Sequence, residues 1–349
     1  MPRQDENSRD GAVSGRSRDD DNRYDLTLRP RTLDEYVGQR EHKENLKIFV
    51  TAARARNEPL DHILLHGPPG LGKTTLAYIL ANELGVELHT TSGPAIEHKG
   101  ALAGMLTKLS ERDVLFIDEI HRLQPVVEEN LYPAVEDFRI DLVTGDGPHA
   151  QTIPLNIHPF TLIGATTRTA LLTGPMRSRF GIEIRLDFYP PEDLATIVRR
   201  SANLLDTKIH DEAALEIATR ARGTPRVANR LLRRARDFAQ VAQLPAIDMK
   251  ITRTALDRMG VDRAGLDEMD RRLLRIIIEH FSGGPVGIET LGAALAEPRD
   301  TFEDVYEPFL IRQGLLARTP RGRVATQRAY EHLGIKPPTG KAGSQGDLF

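Results

Sequence analysis

Residues 67–75 of the 349-residue chain read GPPGLGKTT, directly after the apolar run HILLHG. The pattern G-x-x-x-x-G-K-T runs from Gly67 through Gly72 and Lys73 to Thr74. Glycines at this spacing, Gly70 and Gly72 among them, let the backbone curl so that successive N–H groups point at a phosphate chain. Lys73 then reaches the β- and γ-phosphates, the Thr74 hydroxyl offers an oxygen to Mg²⁺, and Thr75 follows on the same turn. The helix expected over KTTLAYILANEL adds the positive end of its dipole. A glycine-rich turn that merely opens a helix is the plainer alternative, but it needs neither the lysine nor the threonine. The loop therefore reads as a nucleoside-triphosphate site.

A second string, VLFIDEIHRL (114–123), ends an apolar strand with Asp118 and Glu119. Asp118 sits where a P-loop NTPase holds the Mg²⁺ shell, and Glu119 is placed to polarise a water against the γ-phosphate. Such a pair is unremarkable alone; behind a complete phosphate loop it points to hydrolysis rather than binding. His121 is read as a structural histidine, not a proton relay. In GATTRTALLTGPMRSRFG (164–181), Thr166 and Thr167 close the next strand, where a hydroxyl can orient the lytic water. Arg177 and Arg179 follow. Their planar, always protonated forks suit transition-state charge, although residue chemistry alone favours a solvated pair.

Two further strings are basic. In GTPRVANRLLRRARDFA (223–239), Thr224 is a candidate helix cap and Pro225 suits the first turn. Val227, Leu231 and Phe238 form an apolar stripe, which turns Arg230, Arg233 and Arg234 toward solvent. Arg226 in the first turn opposes the helix dipole, a local cost that points to an anion nearby, the nucleotide being one. In ARTPRGRVATQR (317–328), Arg318, Arg321, Arg323 and Arg328 occur without an acidic residue. On a hairpin tip they make a phosphate clamp for DNA or, equally, a solvated basic turn.

These groups need a scaffold. The apolar runs HILLHG, VELHTTSG, DVLFIDE, FTLIGATT and IEIRLDF alternate with helical patterns, as strands buried on both faces of a parallel sheet do. Residues 138–160 hold two alternating segments around Gly-Asp-Gly, a hairpin signal. Residues 191–261 read as short helices. After an acidic linker near Asp262–Asp270, helices lead into a hairpin over LLARTPRGRVATQRAY, the order of a winged helix. The expected division is a tail (1–23), a large α/β domain (24–190), a helical lid (191–261), a winged-helix head (262–336) and a second tail (337–349). The start has no apolar stretch for a signal peptide, and no window suits a membrane span. With no cysteine there is neither disulfide nor thiolate metal site, which suits the cytoplasm. The net charge of −3 means that nucleic acid must be met by a local patch.

Together, LLHGPPGLGKTTLA, VLFIDEIHRL, LYPAVEDF, GATTR, RSRFGI, RGTPRVANRLLRRARDFA, GGPVGIETL and DVYEPFLIRQGLLARTPRGR resemble the RuvB family of AAA+ motors. The resemblance spans LRPRTLDEYVGQ to HLGIKPP, nearly all of the expected ordered chain; PAIEHKGALAGML is less typical. It implies an ATP- and Mg²⁺-dependent, hexameric DNA motor that drives branch migration of Holliday junctions in recombination, repair and the SOS response. It further implies Thr166 as the sensor-1 residue, Arg179 as an arginine finger entering a neighbouring subunit, and Arg226 as sensor 2. Leu28, Arg29, Tyr189 and, more weakly, Glu136, Asp137 and Phe138 match positions that cradle the adenine nucleotide. Arg318 and Arg323 match DNA contacts, the hairpin within 138–160 matches the element that docks on RuvA, and RuvC is implied as a further partner. The final QGDLF (345–349) is similar to peptides that dock on the replication sliding clamp.

Two alternatives share these features: another AAA+ machine such as a clamp loader, and a winged-helix regulator that uses nucleotide as a switch. Glu119 argues against the switch, which needs no water-activating carboxylate. The absence of N-K-x-D favours ATP over GTP.

Overall fold

Alternation along three short strands builds the centre of the protein. In β1 (Ile63–His66), Ile63 and Leu65 face one core while Leu64 faces the other. The same parity continues through β3 (Val114–Asp118), with Val114 and Phe116 against Leu115 and Ile117. In β6 (Thr161–Thr166), Ile163 and Ala165 oppose Leu162. Strands apolar on both sides must be covered twice, and helices cover them. With β2 (Leu88–Ser92) and β7 (Ile182–Arg185) they form a five-stranded parallel sheet of order β2-β3-β6-β1-β7. The phosphate loop, Asp118 and Thr166 all leave the carboxyl edges of β1, β3 and β6, three adjacent strands, where open α/β sheets place their ligands. The fold is α/β, with a parallel sheet, a helical lid and a winged-helix head.

The computed structural model describes residues 27–144 and 151–337. Both expected tails beyond those limits, the QGDLF segment and the Gly-Asp-Gly turn of the hairpin lie outside the described residues. The hairpin's strands, β4 (Arg139–Thr144) and β5 (Gln151–Asn156), pair antiparallel and stand apart from the main sheet. No helix among the described residues is long and apolar enough to cross a membrane.

Four helices, Pro191–Leu204, Asp211–Arg220, Pro225–Val241 and Met249–Arg258, form the lid, whose apolar residues continue one of the sheet's two cores. Thr224 precedes the third helix but does not cap it: its hydroxyl donates to the Ala221 carbonyl. Of the three arginines expected in solvent there, only Arg234 is exposed; Arg230 and Arg233 are half-buried. The head has its own core. Its wing is shorter than expected, β8 (Leu316–Thr319) and β9 (Gly322–Ala325), and Arg328 lies on the following helix, Gln327–Leu333. Thr326 starts that helix by accepting from the Ala329 N–H, which ends the hairpin early.

The acidic stretch at 262–270 is a packed joint rather than a linker. Asp267 and Asp270 are 1% and 0% exposed and share the guanidinium of lid residue Arg222, whose Nε donates to the Gly265 carbonyl at 3.0 Å. From the head, Arg312 donates to the Arg222 carbonyl at 2.6 Å and lies over the Phe188 ring at 3.9 Å. The head also meets the α/β domain directly. Arg168, just past β6, donates to both oxygens of Asp304 at 2.9 and 3.0 Å and lies 3.0 Å from Asp300.

Candidate functional site

The loop after β1 curls because its glycines adopt conformations closed to other residues. Gly67 has φ +137°, and a Cβ there would lie 2.4 Å from the Leu186 carbonyl oxygen. Gly70 has φ +81°, and a Cβ there would lie 3.3 Å from the Arg226 Cβ, so its absence leaves room for the lid. The helix Lys73–Leu84 starts directly behind, aiming unpaired N–H groups into the cleft. Lys73 is only 7% exposed and donates to the carbonyls of Gly67 and Pro68 at 2.8 and 3.0 Å. Burial draws its ammonium down to about 8, against the opposing charges of Asp118 and Glu119. A cation buried this deeply among neutral acceptors is one that an anionic ligand would stabilise.

The cleft in front of it is lined by Gly70, Gly72, Lys73, Thr74, Thr75, Asp118 and Glu119. On the adenine-facing side expected from sequence, Leu28, Arg29 and Tyr189 line it too, and Arg226 closes it from the lid. Thr74 and Asp118 bring a hydroxyl and a carboxylate to one cavity, hard oxygen donors of the kind Mg²⁺ takes. Glu119 has φ +50°, strained for a non-glycine residue, and its N–H donates to Asp118 Oδ1 at 3.0 Å. Burial, then the Asp118 charge, holds its carboxyl above the usual glutamate range.

Several expected residues are elsewhere. Thr166 is fully buried and does not reach the cleft; its neighbour Thr167 does. The Thr166 hydroxyl lies 2.8 Å from His121 Nδ1 and accepts from the Arg168 N–H. Glu136, Asp137 and Phe138 do not line this cleft, and neither does Arg179. Arg179 instead lies 3.0 Å from Glu136, at the end of the helix Pro125–Glu136, and 4.2 Å over the Tyr132 ring. Arg177 pairs with Glu183. On the wing, Arg318 and Arg321 are exposed. Arg323 is 7% exposed, donates to Glu307 at 2.8 Å and lies 3.7 Å from Glu303, so it presents no open face to a phosphate.

Residue patterning missed three contributors. Tyr36 lines the cleft and accepts from the Tyr189 hydroxyl at 3.0 Å; burial pushes Tyr189 up to about 12. Arg200 donates to the Leu28 carbonyl at 2.8 Å and pairs with Glu35, holding the segment before the first long helix against the lid. Asn229 stands one helical turn after Arg226 on the same wall. Only Asn229 had a readable signal, the i+3 spacing from Arg226.

A phosphate loop after β1, two carboxylates at the end of β3, one strand removed across β6, and a lid arginine over one cleft define a P-loop ATPase of the AAA+ class. Residues 28–186 match the Holliday junction DNA helicase RuvB P-loop domain, 189–262 the RuvB AAA lid domain, and 263–334 the RuvB C-terminal winged helix domain. The chain belongs to the RuvB family. It is 50% identical to the Thermotoga maritima RuvB Holliday junction branch migration motor, with 89% of this chain and 100% of that one covered at a TM-score of 0.83. An alanine-to-serine mutant of the Thermotoga maritima protein matches at 50% identity, 89% and 99% coverage and a TM-score of 0.84. An arginine-to-alanine mutant gives 50%, 89%, 99% and 0.83. Neither the clamp loader nor the nucleotide-switched regulator is supported by these matches.

Proposed function

We propose that this chain hydrolyses ATP with Mg²⁺ to drive duplex DNA through a ring of subunits, moving the branch point of Holliday junctions in recombination and repair. Bound Mg·ATP supplies the γ-phosphoryl group and the cation that spreads its charge. Lys73 and the loop N–H groups hold the phosphates, Thr74 and Asp118 hold the metal shell, and Glu119 orients and deprotonates the attacking water. Thr167 is the hydroxyl best placed beside that water. Leu28, Arg29, Tyr36 and Tyr189 take the base and sugar side, with Arg226 reporting the nucleotide to the lid. Cytoplasmic location and induction with the SOS response accompany this reading.

The observation that carries the ring is the position of Arg179. An arginine finger serves at the γ-phosphate, and Arg179 stands with Glu136 away from its own chain's cleft. We assign Arg179, with Glu136, Asp137 and Phe138, to the site of the neighbouring subunit, in a hexamer. The exposed Arg318 and Arg321 meet the DNA backbone, while the β4–β5 hairpin, with Ile153 exposed, is the docking element for RuvA. RuvC is a further partner of the same assembly. The three family matches support the division into 24–190, 191–261 and 262–336 as the working units.

The test is a fluorescent four-way junction incubated with the protein, RuvA and ATP. Junction separation that requires ATP and RuvA is expected, together with ATPase activity stimulated by DNA. DNA-stimulated ATPase without junction separation would instead describe another AAA+ machine.

A further inference from the structure

Behind Glu119 three polar groups stand in line. The Arg168 N–H donates to Thr166 Oγ1 at 2.9 Å, Thr166 Oγ1 lies 2.8 Å from His121 Nδ1, and His121 Nε2 lies 3.3 Å from Glu119 Oε2. The last gap is the longest, as contacts to a catalytic group often are before substrate binds. Thr166 is fully buried, and the His121 side chain is nearly so.

Where the imidazole proton sits follows from counting donors. The backbone N–H of Arg168 only donates, so it takes one lone pair of Thr166. If His121 carried its proton on Nδ1, Thr166 would accept twice and its own buried hydroxyl proton would have no acceptor in this line. A bare Nε2 would also face a carboxylate, lone pair against lone pair. With the proton on Nε2 both conflicts vanish: Thr166 donates to Nδ1, and Nε2–H points at Glu119. Burial, then the Arg168 guanidinium, also holds His121 below the usual histidine range and so in its neutral form.

Glu119 needs such a restraint. Its backbone is in the left-handed region, its side chain is 33% exposed, and the Asp118 carboxylate is next to it in sequence. We propose that His121 is a positioning residue for Glu119: its Nε2–H aims the carboxylate, and Thr166 fixes the ring from the end of β6. Thr166 thereby acts two groups away from the water, which accounts for a buried threonine at the edge of a catalytic cleft. The inference rests on Glu119 being the water-activating carboxylate.

The experiment measures steady-state ATP turnover and nucleotide affinity of the full chain carrying His121→Gln, His121→Asn or His121→Phe, with Glu119→Gln alongside. Gln extends an amide N–H to where Nε2 stands, whereas Asn imitates only the Nδ1 side. His121→Phe and His121→Asn should lower kcat by about 10- to 100-fold at unchanged KM and nucleotide affinity. His121→Gln should keep most of the rate. Equal losses in all three, a loss confined to affinity, or full turnover by His121→Phe would overturn the proposal. Should the histidine variants fail to fold, Thr166 carries the test: Thr166→Ser keeps the hydroxyl and the rate, Thr166→Val loses both, and equal rates from the two overturn it. Wild-type turnover by Glu119→Gln would overturn the reading of Glu119 itself. A dead Glu119→Gln beside an unimpaired His121→Phe would overturn only the role of His121.

Discussion

Two arginines of this chain are each caught by acid and laid over an aromatic ring, yet they are built for opposite purposes. Arg222 at the lid–head joint has a side chain 5% exposed; it shares its charge between Asp267 and Asp270, lies 4.6 Å over Phe309 and fills its Nε with the Gly265 carbonyl. Arg179 on the α/β domain is 18% exposed, meets a single carboxylate that is itself 54% exposed, and leaves its Nε buried without a partner. A buried, multiply bonded pair is strongly destabilised by loss of one member, whereas a half-exposed pair is worth little. The first arginine holds two domains together. The second is held by one half-exposed carboxylate, the Tyr132 ring and the Pro175 carbonyl, so its release costs less, as the proposed role in a neighbouring subunit requires.

The sharpest way to break this contrast is Arg179→Ala. It should leave the thermal midpoint and ATP binding near wild type and lower ATP turnover by about 10³-fold or more, the usual worth of a finger. Mixing it with Lys73→Ala protein should restore part of the activity, because each lends its intact half-site to the other. Lys73→Ala alone should weaken nucleotide binding through loss of charge-assisted bonds. Turnover that stays flat at every mixing ratio would place the finger within one subunit.

Arg222→Ala should do the reverse. Two buried carboxylates left without their cation should destabilise the joint by about 3–5 kcal/mol, lessened as Asp270 takes up a proton. Chemical denaturation that follows the head separately would show it. An unchanged midpoint would reduce the joint to surface packing.

What sequence revealed and what it concealed divides along the same line. Lys73, Thr74, Asp118 and Glu119 were legible because each acts within a few residues of the strand end that positions it. Arg222 and Arg168 were not, since their partners lie 48 and 136 residues away along the chain. Residues 262–270 looked like an acidic linker because acids without a visible cation are usually solvated. Thr166 and Thr167 were separated only by where β6 ends, since adjacent residues on a strand point opposite ways. His121 was passed over because its partners, Thr166 and Glu119, are brought to it by the sheet and by a backbone turn that only the fold displays.

A smaller effect tests the charge inside the joint. Burial raises Asp270 well above its usual 3.8, the Arg222 charge opposing and Asp267 adding to it. The folded state then holds a proton more tightly than the unfolded chain, so this group's contribution to stability falls as pH rises from about 4 and levels off above the raised value. Asp270→Asn keeps the shape and an oxygen for the Asp267 N–H while removing the titration. Denaturation midpoints at several pH values should show the wild type losing stability relative to Asp270→Asn as pH increases. A constant difference would mean that Asp270 is ionised throughout.

The wing repeats the contrast across one pair of strands, and there the expected effects are smallest. Arg318 and Arg323 are register partners on β8 and β9, yet Arg318 is exposed while Arg323 is turned into Glu307 and Glu303. A phosphate contact releases counterions, so removing one should weaken DNA binding several-fold and reduce the salt slope by about 1. Arg318→Ala should do this at unchanged stability and unchanged basal ATPase activity. Arg323→Ala should act differently, because it strands Glu307, 3% exposed, beside Glu303. The head should then melt earlier, and binding should weaken only as far as the wing distorts, with the salt slope kept. Binding titrations on duplex DNA across a range of salt, paired with thermal melts, separate the two. If Arg323→Ala also lost about one unit of slope without a change in melting, its guanidinium would have to leave Glu307 for a phosphate when DNA arrives. The wing would then hold a second releasable arginine of the Arg179 kind.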